Sequence, residues 1–466
     1  VTSKLAGKSC VAITNMVRVT VNNFVAGSIG SDQTICSGST PVALTSVTPT
    51  GDGTISYQWR SSNDGVNYLN ITGANSETYT PGALTADTWY IRSVTSTLNA
   101  VLCTRETNAV RITVNNVNGG TIISDQTICK GSDPVAFWSV VHGTGDGAVT
   151  WQWQSSPDGT TFTDVAGATA LNYDPPVVLT DTWYKRVTIS LLNAVTCTAE
   201  TNIVKVTVNA VTGGTITADQ TICFGSTPVP FGSSDDGTGS GIVTYQWLRS
   251  DNNVIFSTIP GATLTTYTPG ALFTSVYYKR VIISIENGVL CQNESNVIKV
   301  TVNPLPVATL SGGEIICLGQ SSILKVNMSI GTGPYTLNIQ NLGAVAGYVS
   351  GADITVTPAA NTTYTLLSVQ DANGCTVNSP SANLMGSATI TVRTPAFITT
   401  PPAPKTICEY GVTSFTVVGG GTDVTYQWYE KQGAGPFNPL SDGGIYFGAT
   451  TATLNLFGTT RLMDGY

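Results

Sequence analysis

A block of about 94 residues returns along this chain, and that recurrence limits the possible folds more than any single motif does. Asp32-Gln33-Thr34-Ile35-Cys36 comes back as Asp125-Gln126-Thr127-Ile128-Cys129 and Asp219-Gln220-Thr221-Ile222-Cys223, with cysteines 93 and 94 residues apart. Ile315-Ile316-Cys317 and Thr406-Ile407-Cys408 continue the series after 94 and 91 residues. Tyr57-Gln58-Trp59, Trp151-Gln152-Trp153, Tyr245-Gln246-Trp247 and Tyr426-Gln427-Trp428 put a tryptophan 20 to 24 residues after the leading cysteine. Asp87-Thr88-Trp89-Tyr90, Asp181-Thr182-Trp183-Tyr184 and Ser275-Val276-Tyr277-Tyr278 then precede a second cysteine, Cys103, Cys197 or Cys291. An alternating segment closes each block: Val110-Arg111-Ile112-Thr113-Val114-Asn115 has counterparts ending at Asn22, Asn209 and Asn303.

These landmarks divide the 466 residues into repeats at 24–116, 117–210, 211–303, 304–394 and 395–466. Residues 1–23 read as the last strand of a preceding repeat. The fourth repeat has no tryptophan landmark and only 58 residues between Cys317 and Cys375, against 67 or 68 elsewhere. The fifth stops at Asp464-Gly465-Tyr466, before a second cysteine, so both ends are expected to fall inside domains.

Short β-branched runs are split by turn signals such as Asn63-Asp64-Gly65 and Pro157-Asp158-Gly159, where Asp-Gly favours the positive backbone angles of tight hairpins. About seven strands per repeat, without helical periodicity, predict an all-β chain of tandem immunoglobulin-like antiparallel sandwiches. Links such as Asn115-Asn116-Val117-Asn118-Gly119-Gly120 are short, so the domains are expected to stand end to end as a rod. Trp59, Trp153, Trp247 and Trp428 are expected in the cores, each contributing on the order of 2 to 3 kcal/mol. Tyr90, Tyr184, Tyr278 and Tyr466 stand where a tyrosine corner would. Lys185, Arg186, Lys205, Lys279, Arg280 and Lys299 read as charges that keep strand edges from pairing with other chains.

Paired cysteines at regular spacing point to an oxidising, extracellular setting. Pairing within a repeat competes with pairing across a boundary, such as Cys103 with Cys129. After Cys103 about 11 residues at roughly 3.3 Å each carry the chain some 36 Å, whereas a disulfide tolerates about 7 Å between α-carbons. One disulfide per domain is therefore expected: Cys36 with Cys103, Cys129 with Cys197, Cys223 with Cys291 and Cys317 with Cys375. Cys10 and Cys408 are left unpaired.

No catalytic constellation emerges, and neither metal nor cofactor is expected. His142 is the one histidine and lies in a glycine-rich loop that other repeats do not share. No EF-hand spacing appears, and Asn70, Asn293, Asn327 and Asn361 start glycosylation sequons out of register with the repeat. A net charge of −8, with only 10% of residues charged and no basic stripe, argues against nucleic acid as a partner. No apolar run approaches the roughly 18 residues that cross a bilayer.

Gln33-Thr34-Ile35-Cys36-Ser37-Gly38, Tyr57-Gln58-Trp59, Thr80-Pro81-Gly82-Ala83-Leu84-Thr85 and Asp87-Thr88-Trp89-Tyr90 together resemble the immunoglobulin-like modules repeated in giant secreted proteins of the Bacteroidota, including gliding-motility adhesins and surface appendages. Tyr364-Thr365-Leu366 and Asp371-Ala372-Asn373-Gly374-Cys375 resemble the PKD-like variant of those modules. The resemblance implies export by the type IX route, attachment to the outer surface, and adhesive or filament-forming use. The expected role is a structural stalk or adhesin segment; a module that binds glycan or protein through its loops is the alternative. Expected partners are other domains of the same long chain, with surface glycans or proteins as further candidates. Copies of the chain joined by strand donation into a fibre are a further expectation.

Overall fold

Strand formation follows from alternation, since residues two apart share a face of a pleated strand. In a computed structural model that describes residues 1–463, Val110, Ile112 and Val114 point inward at 1%, 0% and 2% exposure, while Arg111 faces solvent. Tyr466, named above as a corner residue, lies outside the described residues together with Asp464 and Gly465. The described residues contain strands, turns and one 3-10 turn at Arg461–Met463.

The first repeat sets the pattern. Its main sheet runs from a cysteine strand, Gln33–Cys36, through a closing strand, Val110–Asn115, to a long strand, Thr88–Leu98, a tryptophan strand, Thr54–Ser62, and a short edge, Leu69–Asn70. A return strand, Val101–Glu106, folds back along the far half of the long strand. Closing and cysteine strands are parallel, with Asn115 beside Cys36; their neighbours are antiparallel. The facing layer is built of short pairs, Phe24–Val25 with Thr50–Gly51 and Ser28–Ile29 with Ser46–Val47. The second and third repeats keep this strand order, which makes them immunoglobulin-like sandwiches in tandem.

Trp59, Trp153 and Trp247 are fully buried, and each indole nitrogen donates to a backbone carbonyl: Ser76, Ala170 and Leu264, at 2.8, 3.0 and 2.9 Å. The preceding glutamine ties the same strand to the edge, Gln58 Nε2 donating to Ile71 O and Gln152 Nε2 to Val165 O at 2.8 Å. Tyr90, Tyr184 and Tyr278 complete the aromatic clusters, the latter two with ring centroids 4.9 Å from Phe137 and Phe231. Burial pushes all three phenol pKa values up to about 12.

The fourth repeat reaches the same order with a different core. Its main sheet runs Ile315–Cys317, Ser387–Arg393, Thr362–Gln370, Tyr335–Ile339, Gly343–Tyr348, and a four-stranded sheet faces it. Leu324, Val326, Leu337, Val369 and Ile390 fill the centre in place of a tryptophan. In the fifth repeat Trp428 is half-buried, beside Leu440, Leu454 and Leu456.

The chain divides into two compact units, one of residues 1–214, 236–246 and 281–295, the other of 215–235, 247–280 and 296–466. The first holds two whole repeats and the long hairpin of the third; the second holds the remainder.

Candidate functional site: a clamp between repeats

The disulfides do not close single domains. Cys36 pairs with Cys197, Cys129 with Cys291 and Cys223 with Cys375, each with α-carbons 5.5 Å apart. The expected pairs Cys36–Cys103, Cys129–Cys197, Cys223–Cys291 and Cys317–Cys375 are therefore corrected: the leading cysteine of one repeat bonds to the second cysteine of the next. Cys103 and Cys317 join Cys10 and Cys408 as free thiols.

Sheet register supplies the reason. Cys36 sits beside Asn115, where the closing strand leaves the domain. Cys103 sits opposite Ser96, near the far end of the long strand. Since Thr88 pairs with Ile112, the two cysteines lie roughly 11 residues apart along one sheet, on the order of 36 Å. The distance expected to exclude pairing across boundaries instead excludes pairing within a repeat.

Two hydrogen-bonded residues accompany each of the first two disulfides. Asn115, fully buried, donates from Nδ2 to Ser190 O at 3.0 Å and Val195 O at 3.3 Å, and accepts from Ser190 Oγ at 2.7 Å. At the next junction Asn209 donates to Ser284 O and Val289 O at 2.9 and 3.0 Å and accepts from Ser284 Oγ at 2.6 Å. Asn22 and Ser96 make the same exchange at 2.9 Å. Ser190 and Ser284 face Cys197 and Cys291 across their hairpins. Each clamp is thus a cysteine and an asparagine from adjacent parallel strands, gripping a serine and a cysteine from adjacent antiparallel ones.

The hairpin that reaches back turns at Asn193-Ala194 or Asn287-Gly288, with two consecutive positive φ angles, the geometry of a two-residue hairpin turn. Asn193 Nδ2 then donates to Thr34 Oγ1 and Asn287 Nδ2 to Thr127 Oγ1, both at 3.1 Å, so the tip holds the preceding cysteine strand. The fourth repeat has no such hairpin. Cys375 follows a tight turn in which Asp371 Oδ1 accepts from the backbone N–H of Asn373 and Cys375 at 3.0 and 2.9 Å, and the bond to Cys223 forms all the same.

An arginine secures the chain where it enters each repeat. Arg92, Arg186 and Arg280 are fully buried on the long strands. Arg186 donates to Leu171 O and Ser139 Oγ at 2.9 Å and to Gly119 O, in the linker, at 3.1 Å. Arg92 reaches Glu77 O at 2.6 Å and Ala26 O at 3.2 Å; Arg280 reaches Thr265 O at 2.7 Å. Loss of solvation lowers the guanidinium pKa of Arg92 and Arg186. Each stands about 6 Å from the tryptophan ring of its own repeat. Gly119 has no room for a side chain, because a Cβ there would meet Glu200 O at 2.0 Å.

Arg186 and Arg280 are therefore not edge charges, as expected from sequence, but interior donors; the strand that carries them is central. Lys185 does face out, paired with Glu200 at 2.6 Å, and Lys205 pairs with Asp181 at 2.7 Å. Asn115, Asn209, Ser190 and Ser284 escaped the sequence reading, although the asparagine ends every closing segment and the serine always precedes the second cysteine by seven residues. His142 is exposed. Among the described residues no three His, Cys, Asp or Glu side chains are grouped to hold a metal ion.

A family model described as "Domain of unknown function (DUF8696)" matches residues 25–116, 118–210 and 212–304. No curated protein matches the chain. Similar solved structures include eight N-terminal immunoglobulin domains of Down Syndrome Cell Adhesion Molecule, at 11% identity and TM-score 0.27, covering 98% of this chain and 72% of that one. Immunoglobulin domains 1–5 of Sidekick-1 match at 11% and 0.23, covering 94% and 93%. The titin I-band fragment I67–I69 matches at 10% and 0.35, covering 61% and 100%.

Proposed function

This chain belongs to the DUF8696 domain family, and we propose that its repeats form a stiffened stalk of a secreted bacterial cell-surface protein, holding adhesive parts away from the outer membrane. The observation that carries this reading is the clamp: a disulfide and a buried asparagine–serine exchange resist bending where one repeat meets the next. Disulfides in β domains fit an extracellular location. The motifs shared with Bacteroidota surface proteins favour a type IX secreted adhesin or gliding-motility filament within that class.

Small-angle scattering tests the proposal. Five domains of about 40 Å in line give a length on the order of 200 Å. A radius of gyration near ~23 Å, the value for a compact globule of this length, would overturn it.

A loop-binding role has one observation in its favour. Trp138 is 50% exposed in the second repeat, where the first and third carry Thr45 and Gly232. Specific retention on a glycan array by the native chain, lost in Trp138→Ala, would move the assignment from spacer to lectin-like module.

A further inference from the structure

The four free cysteines form two halves of the clamp described above, and two other features point to what joins them. Residues 1–22 reproduce the end of a repeat. Thr2–Leu5 and Lys8–Val11 form a hairpin in which Ser3 faces Cys10, as Ser96 faces Cys103. It turns at Ala6-Gly7, both with positive φ. Val17-Arg18-Val19-Thr20-Val21-Asn22 then repeats the pattern of the closing strand Val110–Asn115, yet no strand flanks it. Val17, Val19 and Val21 are 87%, 82% and 62% exposed, where Val110, Ile112 and Val114 are buried.

The fifth repeat presents the complementary gap. Thr406-Ile407-Cys408, the counterpart of a cysteine strand, is exposed and unpaired in a sheet, and no long or closing strand of this repeat occurs among the described residues. A groove of about 640 Å³ opens over its core, lined by Ile407, Cys408, Phe415, Trp428, Leu454 and Leu456.

We propose that residues 1–22 of one copy complete the fifth repeat of a second copy, head to tail, and that two intermolecular disulfides seal the junction. The clamp rule dictates both bonds. Cys10 becomes the second cysteine of the completed repeat and bonds to Cys317, the leading cysteine of the repeat before it. Cys408 leads the completed repeat and bonds to Cys103, the second cysteine of the donor's first whole repeat. The rule thus finds a partner for each of the four free thiols and leaves none over. Val17, Val19 and Val21 gain the burial that Val110, Ile112 and Val114 already have, by strand addition.

Oxidised glutathione is a sufficient oxidant. A protein thiolate displaces one glutathione, the second protein thiol displaces the other from the mixed disulfide, and two reduced glutathiones leave per bond.

The test is incubation of the full chain with oxidised glutathione, followed by non-reducing electrophoresis and mass spectrometry of unreduced peptides. The expected result is a covalent ladder containing Cys10–Cys317 and Cys103–Cys408 peptides. Val19→Asp, which keeps every thiol and alters only an exposed residue, should cut ladder formation at least tenfold. A monomer that still alkylates at four thiols, a dominance of other cysteine pairs, or a ladder unaffected by Val19→Asp would each overturn the proposal.

Discussion

Asn115 and Ser190 belong to different repeats, yet each is fully buried and each donates to the other's residue, the amide to a carbonyl and the hydroxyl to the amide oxygen. An asparagine that ends a solvent-edge strand in one domain thereby becomes an interior residue of its neighbour. Asn115→Ala strands Ser190 Oγ and the carbonyls of Ser190 and Val195, and should weaken this junction by about 2 to 4 kcal/mol, at 1 to 3 kcal/mol per orphaned group. Hydrogen exchange should show faster opening of 190–197 with the Trp59 core unchanged. Unchanged exchange at 190–197 would mean that the amide contributes nothing.

Arg186→Leu removes the donor shared by Leu171, Gly119 and Ser139. A drop of about 3 kcal/mol or more is expected in the second repeat, from buried acceptors left without partners. Arg186→Lys should recover only a part, because one ammonium does not span three acceptors on two elements. Thermal unfolding followed by tryptophan fluorescence reads both variants, and equal stability of Leu and native forms would contradict the assigned role.

Reduction of the disulfides should loosen junctions before cores. The return hairpins carrying Cys197 and Cys291 bond to another repeat, whereas the packing around Trp153 and Trp247 does not involve sulfur. Reduced protein is expected to lose amide protection at 190–200 and 284–294 while 148–156 stays protected. Simultaneous loss in all three segments would show that each domain depends on its staple to fold.

Acid should act on two turns and spare a third. Asp64 accepts from Ser62 Oγ at 2.6 Å and from the N–H of Val66 and Asn67 at 2.8 Å, and these bonds hold its pKa well below the usual carboxylate value. Asp158 is held low by the N–H of Thr161 and Thr160 and by Ser156. A pKa lower in the folded than in the unfolded chain means a contribution present above the ordinary value near 4 and lost as pH falls below it towards the folded pKa. In the third repeat Asn252 accepts from Val254 and Ile255 in the same turn without a titrating group. Amides of Val66, Asn67, Thr160 and Thr161 should therefore shift in NMR spectra at low pH while those of Val254 and Ile255 hold; a parallel response of all three turns would refute this.

Much of the architecture was readable from residues. The alternation in Val110–Asn115 and the tryptophan of Tyr57-Gln58-Trp59 both report on which face of a strand is dry, and that is a local property. The cysteine partners were not readable, because spacing counts residues along the chain and says nothing about which end of a sandwich a strand terminus occupies. Parallel pairing of Gln33–Cys36 with Val110–Asn115 sends Cys36 to the exit end, and no local signal marks a parallel edge strand. Arg186 misled for a related reason: a charge in an alternating segment suggests an edge, but three carbonyl and hydroxyl acceptors brought from distant loops make an interior position tolerable.

The bonds from Cys36 to Cys197, Cys129 to Cys291 and Cys223 to Cys375 enclose loops that overlap, each beginning before the previous one has ended. A protease that cuts once anywhere between residues 36 and 375 therefore always cuts inside at least one closed loop, and the two pieces remain covalently joined. Such a chain can be nicked in the open without being shed from whatever holds it.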